Sequence, residues 1–385
     1  MSLAKFLEQK PLYYKEIDYS RMPRAWDSIK HRFFLPKIIH IVGTNGKGST
    51  GRFLAHYLYK SGLDVGHYTS PHIMKFNERI WLNGSDVDDQ LLELAHQRLL
   101  SILDKSFQES LSYFEYTTLL AIVIFEKCDY IVLEAGLGGE YDATAVFDNI
   151  LTLVTPIDYD HQSFLGNNIL DIAKTKLNVI KKFAVLADQK HKEVYNTSQK
   201  LVIQKELNIF RCEQFFTLEE MNEIEKFIKD KKMALFLIQN LSLALCGVKF
   251  LGMKIKLEYL NDITLFGRCF SLSKNITIDV GHNPLAASAL ASHFKDKKIT
   301  LIFNSYGDKD YEESLSILKP IIKNIEIIPI LDQRIEEGEN LIKVIDSLDI
   351  KYSPFSGIDK NKDYLVFGSF LVVERFLKYY ESKTI

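Results

Sequence analysis

The stretch that most limits the fold is Gly43-Thr44-Asn45-Gly46-Lys47-Gly48-Ser49-Thr50, set directly behind the β-prone run Lys37-Ile38-Ile39-His40-Ile41-Val42. Beyond it, Phe53, Leu54, Tyr57 and Leu58 fall on one face of a helix expected over 52–60. A glycine-rich turn from strand into helix points several backbone N–H groups at one spot. The helix N-terminus adds partial positive charge there, so the turn favours a phosphate. Lys47 is placed to reach outer phosphates, and Ser49 or Thr50 offers a hydroxyl to Mg²⁺. The spacing, Gly43-x-x-Gly46-Lys47-Gly48-Ser49, is a variant of the common G-x-x-x-x-G-K-[ST] rule. A plain turn with an exposed lysine is the alternative, and the strand–loop–helix context argues against it.

At 385 residues the chain is too long for one comfortable core, so two domains are expected. From residue 37 onward, strand-like runs at 64–69, 130–134, 150–155 and 183–187 mingle with amphipathic stretches at 88–103, 113–126 and 169–181. This order predicts an α/β fold with a parallel sheet and helices on its faces. The run from Tyr19 to Trp26 reads as loop entering helix, and 219–232 as a solvated amphipathic helix. After residue 252 the pattern resets. Residues 257–266 read as a linker or edge segment; 276–280, 299–303, 325–330 and 364–367 resemble strands, each followed by a helical segment. The expectation is an ATP-binding P-loop domain over 1–260 and a smaller Rossmann-like α/β domain over 261–385.

Charge excludes some function classes. With 48 basic against 50 acidic side chains, the chain offers no bulk attraction to nucleic acid or to a membrane surface. Cys128, Cys212, Cys246 and Cys269 form no C-x-x-C pair, so a reducing cytoplasm is expected rather than a disulfide framework or a zinc site. Met1 to Lys10 carries no apolar core of signal-peptide length. Residues 233–251 have the length of a membrane span, but Gln239, Asn240, Ser242 and Lys249 interrupt them. A buried helix in a soluble protein is the expectation.

Candidate chemistry gathers where strands end, since ligands of parallel sheets sit beyond the carboxyl ends of their strands. Thr69-Ser70-Pro71-His72 follows one strand, and Ser70 there can ligate Mg²⁺ or belong to a plain turn. Glu134 ends the apolar run Ile131-Val132-Leu133 and precedes Ala135-Gly136-Leu137-Gly138-Gly139, offering the hard oxygen that Mg²⁺ prefers. His161, in Asp158-Tyr159-Asp160-His161, follows a third strand and serves as ligand or as structural histidine. Two metal sites sharing Ser70, Glu134 and His161 are expected. Lys174 and Lys176 lie on the next helix, where solvated lysines are the rule. Later, Asp279 and His282 flank a helix opened by Pro284, and Arg268 follows Gly267 near the domain junction. Arg268 suits a clamp on phosphoryl oxygens.

Together these runs resemble the folylpolyglutamate synthase/dihydrofolate synthase family of the Mur ligase superfamily. The carriers are residues 40–49, 69–72, Tyr113-Phe114-Glu115-Tyr116-Thr117, 133–139, Asp142-Ala143-Thr144, Asp279-Val280-Gly281-His282-Asn283-Pro284 and Val366-Phe367-Gly368-Ser369-Phe370, in that order along nearly the whole chain. The resemblance implies a P-loop domain of the Mur ligase central-domain type and a ligase that joins L-glutamate to dihydropteroate, to a reduced folate, or to both. It implies that Asn45, Gly46, Lys47, Gly48 and Ser49 hold ATP phosphates, with Asn240 near the adenine and Arg268, Asp279 and His282 as second-domain contacts. Ser70, Glu134 and His161 would bind two Mg²⁺ ions. Lys176 falls where the family carries a carbamylated lysine that binds the second ion, and with Lys47 and His161 it would serve catalysis. Arg21, Pro23, Tyr113, Phe114, Asp142 and Ala143 are the implied contacts of the folate or pteroate, although 113–125 alone also reads as a core helix. A cytoplasmic monomer is expected.

Two departures stand out. The family usually reads Glu-Lys-Ala-Gly where this chain has Thr175-Lys176-Leu177-Asn178, with Lys174 close enough to compete for the role. After Gly139 the family commonly has arginine, and this chain has Glu140. One rival is a Mur-type ligase acting on a UDP-linked acid, for which the stretch before Gly43 is expected to be too short. The other is a nucleotide-dependent switch without ligase turnover.

Overall fold

The computed structural model describes residues 1–11, 18–160 and 162–384. The chain divides into two compact units, 1–224 with 239–263, and 225–238 with 264–385. The first is built on an eight-stranded sheet of β1 (Lys37–Val42), β2 (Val65–Tyr68), β3 (Ile80–Leu82), β4 (Ser85–Asp86), β5 (Tyr130–Glu134), β6 (Leu151–Val154), β7 (Phe183–Leu186) and β8 (Asn208–Arg211). Their order is β4-β3-β2-β5-β1-β6-β7-β8, parallel from β2 to β8, with β3 and β4 antiparallel at one edge. Burial explains which strands were visible in the sequence: β1, β2, β5, β6 and β7 are nearly all inside and read as apolar runs. The exposed β4 and β8 carry no such signal.

The helices Arg21–Ile29, Asp89–Ile102 and Tyr113–Phe125 pack over β2 and β5 on one face of the sheet, Ile169–Leu177 and Lys192–Lys205 pack over β6 and β7 on the same face, and the opposite face meets the helix Lys47–Lys60. The helix Tyr113–Phe125 starts with a capping box, in which Ser112 Oγ accepts from Glu115 N and Glu115 Oε2 accepts from Ser112 N. Glu115 also pairs with Arg21 at 2.8 Å, which docks the helix Arg21–Ile29 onto this cap. The stretch 233–251 yields a helix over Leu237–Phe250, and no helix among the described residues is long and apolar enough to cross a membrane.

The second unit holds a six-stranded sheet of β9 (Phe270–Ser273), β10 (Ile276–Ile278), β11 (Ile299–Phe303), β12 (Ile322–Ile327), β13 (Tyr352–Pro354) and β14 (Tyr364–Phe367). Its order is β13-β12-β11-β14-β10-β9, and β9 alone runs antiparallel, paired with β10. Asn283 caps the helix Pro284–His293, accepting from Ala286 N at 3.0 Å, with Pro284 in its first turn.

Two histidines of the first sheet are sealed in. His40 meets Thr144 Oγ1 at 2.7 Å through Nε2, and burial lowers its pKa from 6.5 to about 3. His67 has no hydrogen-bond partner for either ring nitrogen among the described residues, and burial drives it well below 6.5. Both rings fold neutral. Below pH 6.5 the unfolded chain takes up protons that the folded one refuses, so stability is lost as pH falls toward the folded value. Urea unfolding from pH 7 to pH 5 should show a decline of about 1.4 kcal/mol per pH unit for each ring below 6.5. His40→Gln should flatten that slope, and an unchanged slope would contradict this assignment.

Candidate active site

Because β2, β5, β1 and β6 are neighbours in the sheet, the loops at their carboxyl ends converge. The loop after β1 turns into the helix Lys47–Lys60, which begins five positions ahead of the expected start because Gly46 caps it. Gly46 has φ of 88°, and a Cβ there would lie 2.2 Å from Asn240 Nδ2. No other residue fits both demands. Asn240 instead donates to Gly46 O at 2.9 Å and so braces the loop from the helix Leu237–Phe250. Thr44 Oγ1 donates to Asp158 O at 2.9 Å, tying the loop to the segment after β6. Ser49 and Thr50 are buried in the first helical turn, and Asn45, Gly46, Lys47 and Gly48 remain partly exposed.

Two lysines meet this loop. Lys47 Nζ donates to Thr44 O at 3.1 Å and to Gly43 O at 3.4 Å. Lys176, only 3% exposed, donates to Gly43 O at 2.8 Å. Burial first, and the nearby Lys47 charge second, lower its pKa from 10.5 to about 7. Lys176 thus stands apart from the usual solvated helix lysine. Lys174, two residues earlier, is exposed.

Glu134, 3% exposed at the end of β5, accepts from Thr69 Oγ1 and, at 3.3 Å, from Ser70 N, both through Oε2. Its Oε1 has no protein donor among the described residues. A hard, unengaged carboxylate oxygen beside a serine and a phosphate loop fits Mg²⁺, which takes one or two carboxylates and completes its shell with phosphates and water. No group of three His, Cys, Asp or Glu able to hold a metal occurs among the described residues. His161 lies outside them.

Beside the loop after β5 is a cavity of about 480 Å³, walled by Tyr19, Pro23, Trp26, Tyr141, Asp142 and Val146 among others. The Tyr19 and Tyr141 rings stand 4.5 Å apart. Asp142 is buried, with its carboxylate accepting from Leu137 N at 2.8 Å, Thr144 N at 2.9 Å and Thr144 Oγ1 at 2.6 Å. Burial raises its pKa, opposed by these hydrogen bonds. Ala143 is buried in the turn that follows. Tyr113 and Phe114 are not among its walls, but the Phe114 ring sits against the same loop, where a Cβ on Gly136 would lie 2.6 Å from it; the Arg79 guanidinium lies 5.2 Å from the Tyr113 ring, and Phe114 lies 5.7 Å from Tyr68. Arg21 is committed to Glu115. Glu140, marked in the sequence only as a departure from the family's arginine, is a further wall of the cavity, as are Tyr141 and Lys181, which no local signal singles out.

In the second unit Asp279 accepts from Cys269 N and Gly281 N, each at 2.7 Å, and burial raises its pKa. The Arg268 guanidinium lies 5.2 Å from the Phe370 ring centroid, and His282 Nδ1 lies 3.3 Å from Val280 O.

No family model matches the chain. A dihydrofolate synthase/folylpolyglutamate synthase of Buchnera aphidicola subsp. Baizongia pistaciae is 30% identical to it, over 97% of this chain and 95% of its own length. The crystal structure of Helicobacter pylori folylpolyglutamate synthetase is 41% identical, with a TM-score of 0.80 over 99% of this chain and 98% of its own. A Yersinia pestis bifunctional folylpolyglutamate synthase/dihydrofolate synthase, complexed with AMPPNP and a Mn ion, shares the fold at 22% identity, with a TM-score of 0.82 over 99% and 98% of the two chains.

Proposed function

The chain belongs to the dihydrofolate synthase/folylpolyglutamate synthase family, and we propose that its first unit activates a pteroate-type acid with ATP for attack by L-glutamate. The observation that carries this reading is the meeting of Lys47 and buried Lys176 on one carbonyl of the phosphate loop, one strand away from Glu134. A carboxylate is a poor acyl donor because its leaving group would be oxide. Transfer of the γ-phosphoryl group to it gives an acyl phosphate and ADP. The amine of glutamate then attacks, and collapse of the tetrahedral adduct gives amide and phosphate.

Backbone N–H groups of 45–49 cradle the phosphates in this scheme, and Lys47 leaves its two carbonyls to offset charge on the transferred group. Ser70 and Glu134 would hold one Mg²⁺; His161 and Lys176, as a carbamate, would hold a second. Bound there, the ions screen the anions brought together and offset phosphate charge. Carbamate formation joins a neutral amine to CO₂ with loss of a proton, and burial supplies that neutral amine at Lys176. Asn240, Arg268, Asp279 and His282 are the proposed remaining ATP contacts. The cavity beside Trp26 and Asp142 suits a flat heterocycle, with Pro23 and Ala143 at hand and Tyr113 and Phe114 proposed as further aromatic contacts.

An isotope experiment tests the acyl-phosphate route. Acid labelled with ¹⁸O in its carboxylate should deliver one labelled oxygen to the inorganic phosphate. Label found in AMP, or lost to water with none in the phosphate, would contradict it.

A further inference from the structure

The proposed acid pocket has two carboxylates engaged at one oxygen only, exposed Asp27 and Glu140, and the fold holds the second in place. Glu140 lies on its wall, and Glu140 Oε2 accepts from Asn178 Nδ2 at 2.8 Å. Asn178 ends the helix Ile169–Leu177 that carries Lys176, and Lys205 Nζ holds it at 3.2 Å through its carbonyl and 3.3 Å through Oδ1. The Glu140 backbone is fixed as well. Its N–H donates to Thr175 O at 2.8 Å, and the chain at Gly139 runs so close that a Cβ there would lie 2.8 Å from Lys176 O. A side chain held this firmly keeps its second oxygen, Oε1, without a protein donor among the described residues.

Asp142 does a different job on the same wall. Its oxygens are taken up by Leu137 N, Thr144 N and Thr144 Oγ1, so it fastens the loop and has little left for a ligand. Asp27, a third carboxylate of the wall, is exposed and paired with Lys30 at 2.7 Å. Three carboxylates against one cation of the wall, Lys181, favour a ring edge that carries N–H donors over the anionic end of an acid. Glu140, held by Asn178 and less exposed than Asp27, is the acceptor fixed in place for that edge.

We propose that Glu140 is a specificity-determining residue for the acid substrate, its Oε1 accepting an N–H of the flat heterocycle while Asn178 fixes the carboxylate's direction. The proposal rests on the cavity being the acid pocket. Two arms of one experiment separate the two statements. Titration with dihydropteroate should quench the fluorescence of Trp26, which lines the cavity, and Trp26→Phe should abolish that quench. Absence of the quench in the parent protein would overturn both the pocket and the proposal. In Glu140→Gln the carboxamide oxygen still serves Asn178, but an NH₂ now faces the ring's donor. Its Kd and KM for dihydropteroate should rise about 10- to 100-fold, with the KM for ATP and the melting temperature unchanged. Asn178→Ala, which frees the carboxylate to swing, should raise them by a smaller factor. A quench with unchanged Kd in Glu140→Gln would overturn the proposal alone, as would equal losses for acid and ATP with a lowered melting temperature.

Discussion

Lys47→Ala is expected to lower turnover on the order of 10²- to 10³-fold, the usual cost of removing a donor aimed at charge that develops in the transition state. In the resting protein the ammonium rests on Thr44 O and Gly43 O, both within its own loop. These contacts are local and partly exposed, so their loss should change stability by less than about 1 kcal/mol. The loss should therefore fall on kcat, with the thermal unfolding midpoint held. Arginine at 47 should not restore the rate, because its planar fork cannot follow the compact path of an ammonium between carbonyl and phosphate. Steady-state kinetics of the two variants, beside their melting curves, check this. Full activity in Lys47→Ala would remove the loop from the reaction.

Lys176→Ala is expected to cost about 100-fold, the scale on which loss of a residue supporting a metal site reduces activity. Two roles end together: the hydrogen bond to Gly43 O and the amine that accepts CO₂. They can be told apart. Protein stripped of CO₂ should lose activity and regain it with bicarbonate, and ¹³C-bicarbonate should give a carbamate resonance in the parent protein but none in Lys176→Ala. Restoration of the parent's activity without any carbamate signal would leave Lys176 as a brace of the loop only.

Much of the site was legible because it sits at the ends of buried strands. The apolar runs of β1, β2, β5 and β6 stand out in the chain, and each is followed by a residue of chemical interest. What lay out of reach depends on contacts between distant segments. The apolar stripe of Ile169, Ile172, Ala173 and Leu177 puts Lys176 rather than Lys174 on the buried face, but only the fold brings Lys176 against Gly43, far away in sequence. The family resemblance implies Arg21 as a substrate contact, and its ion pair with Glu115, 94 residues away, became visible only in the fold. The small hairpin of β3 and β4 escaped notice because it is short and lies at an exposed edge. Glu140 appeared in the sequence only as a departure from a family pattern, and its bond to Asn178 became visible once the loop and the helix end were placed together.

The central claim is that ATP cleavage here serves to join glutamate to a pteroate-type acid. Its most direct measurement offers the protein dihydropteroate and tetrahydrofolate separately, each with ATP, Mg²⁺ and L-glutamate, and follows ADP together with the mass of the product. The expected result is ADP released in step with an acid that has gained one glutamate, with no ADP when either acid or glutamate is withheld. Steady ADP release without acid and glutamate, and no glutamylated product from either acid, would contradict the account.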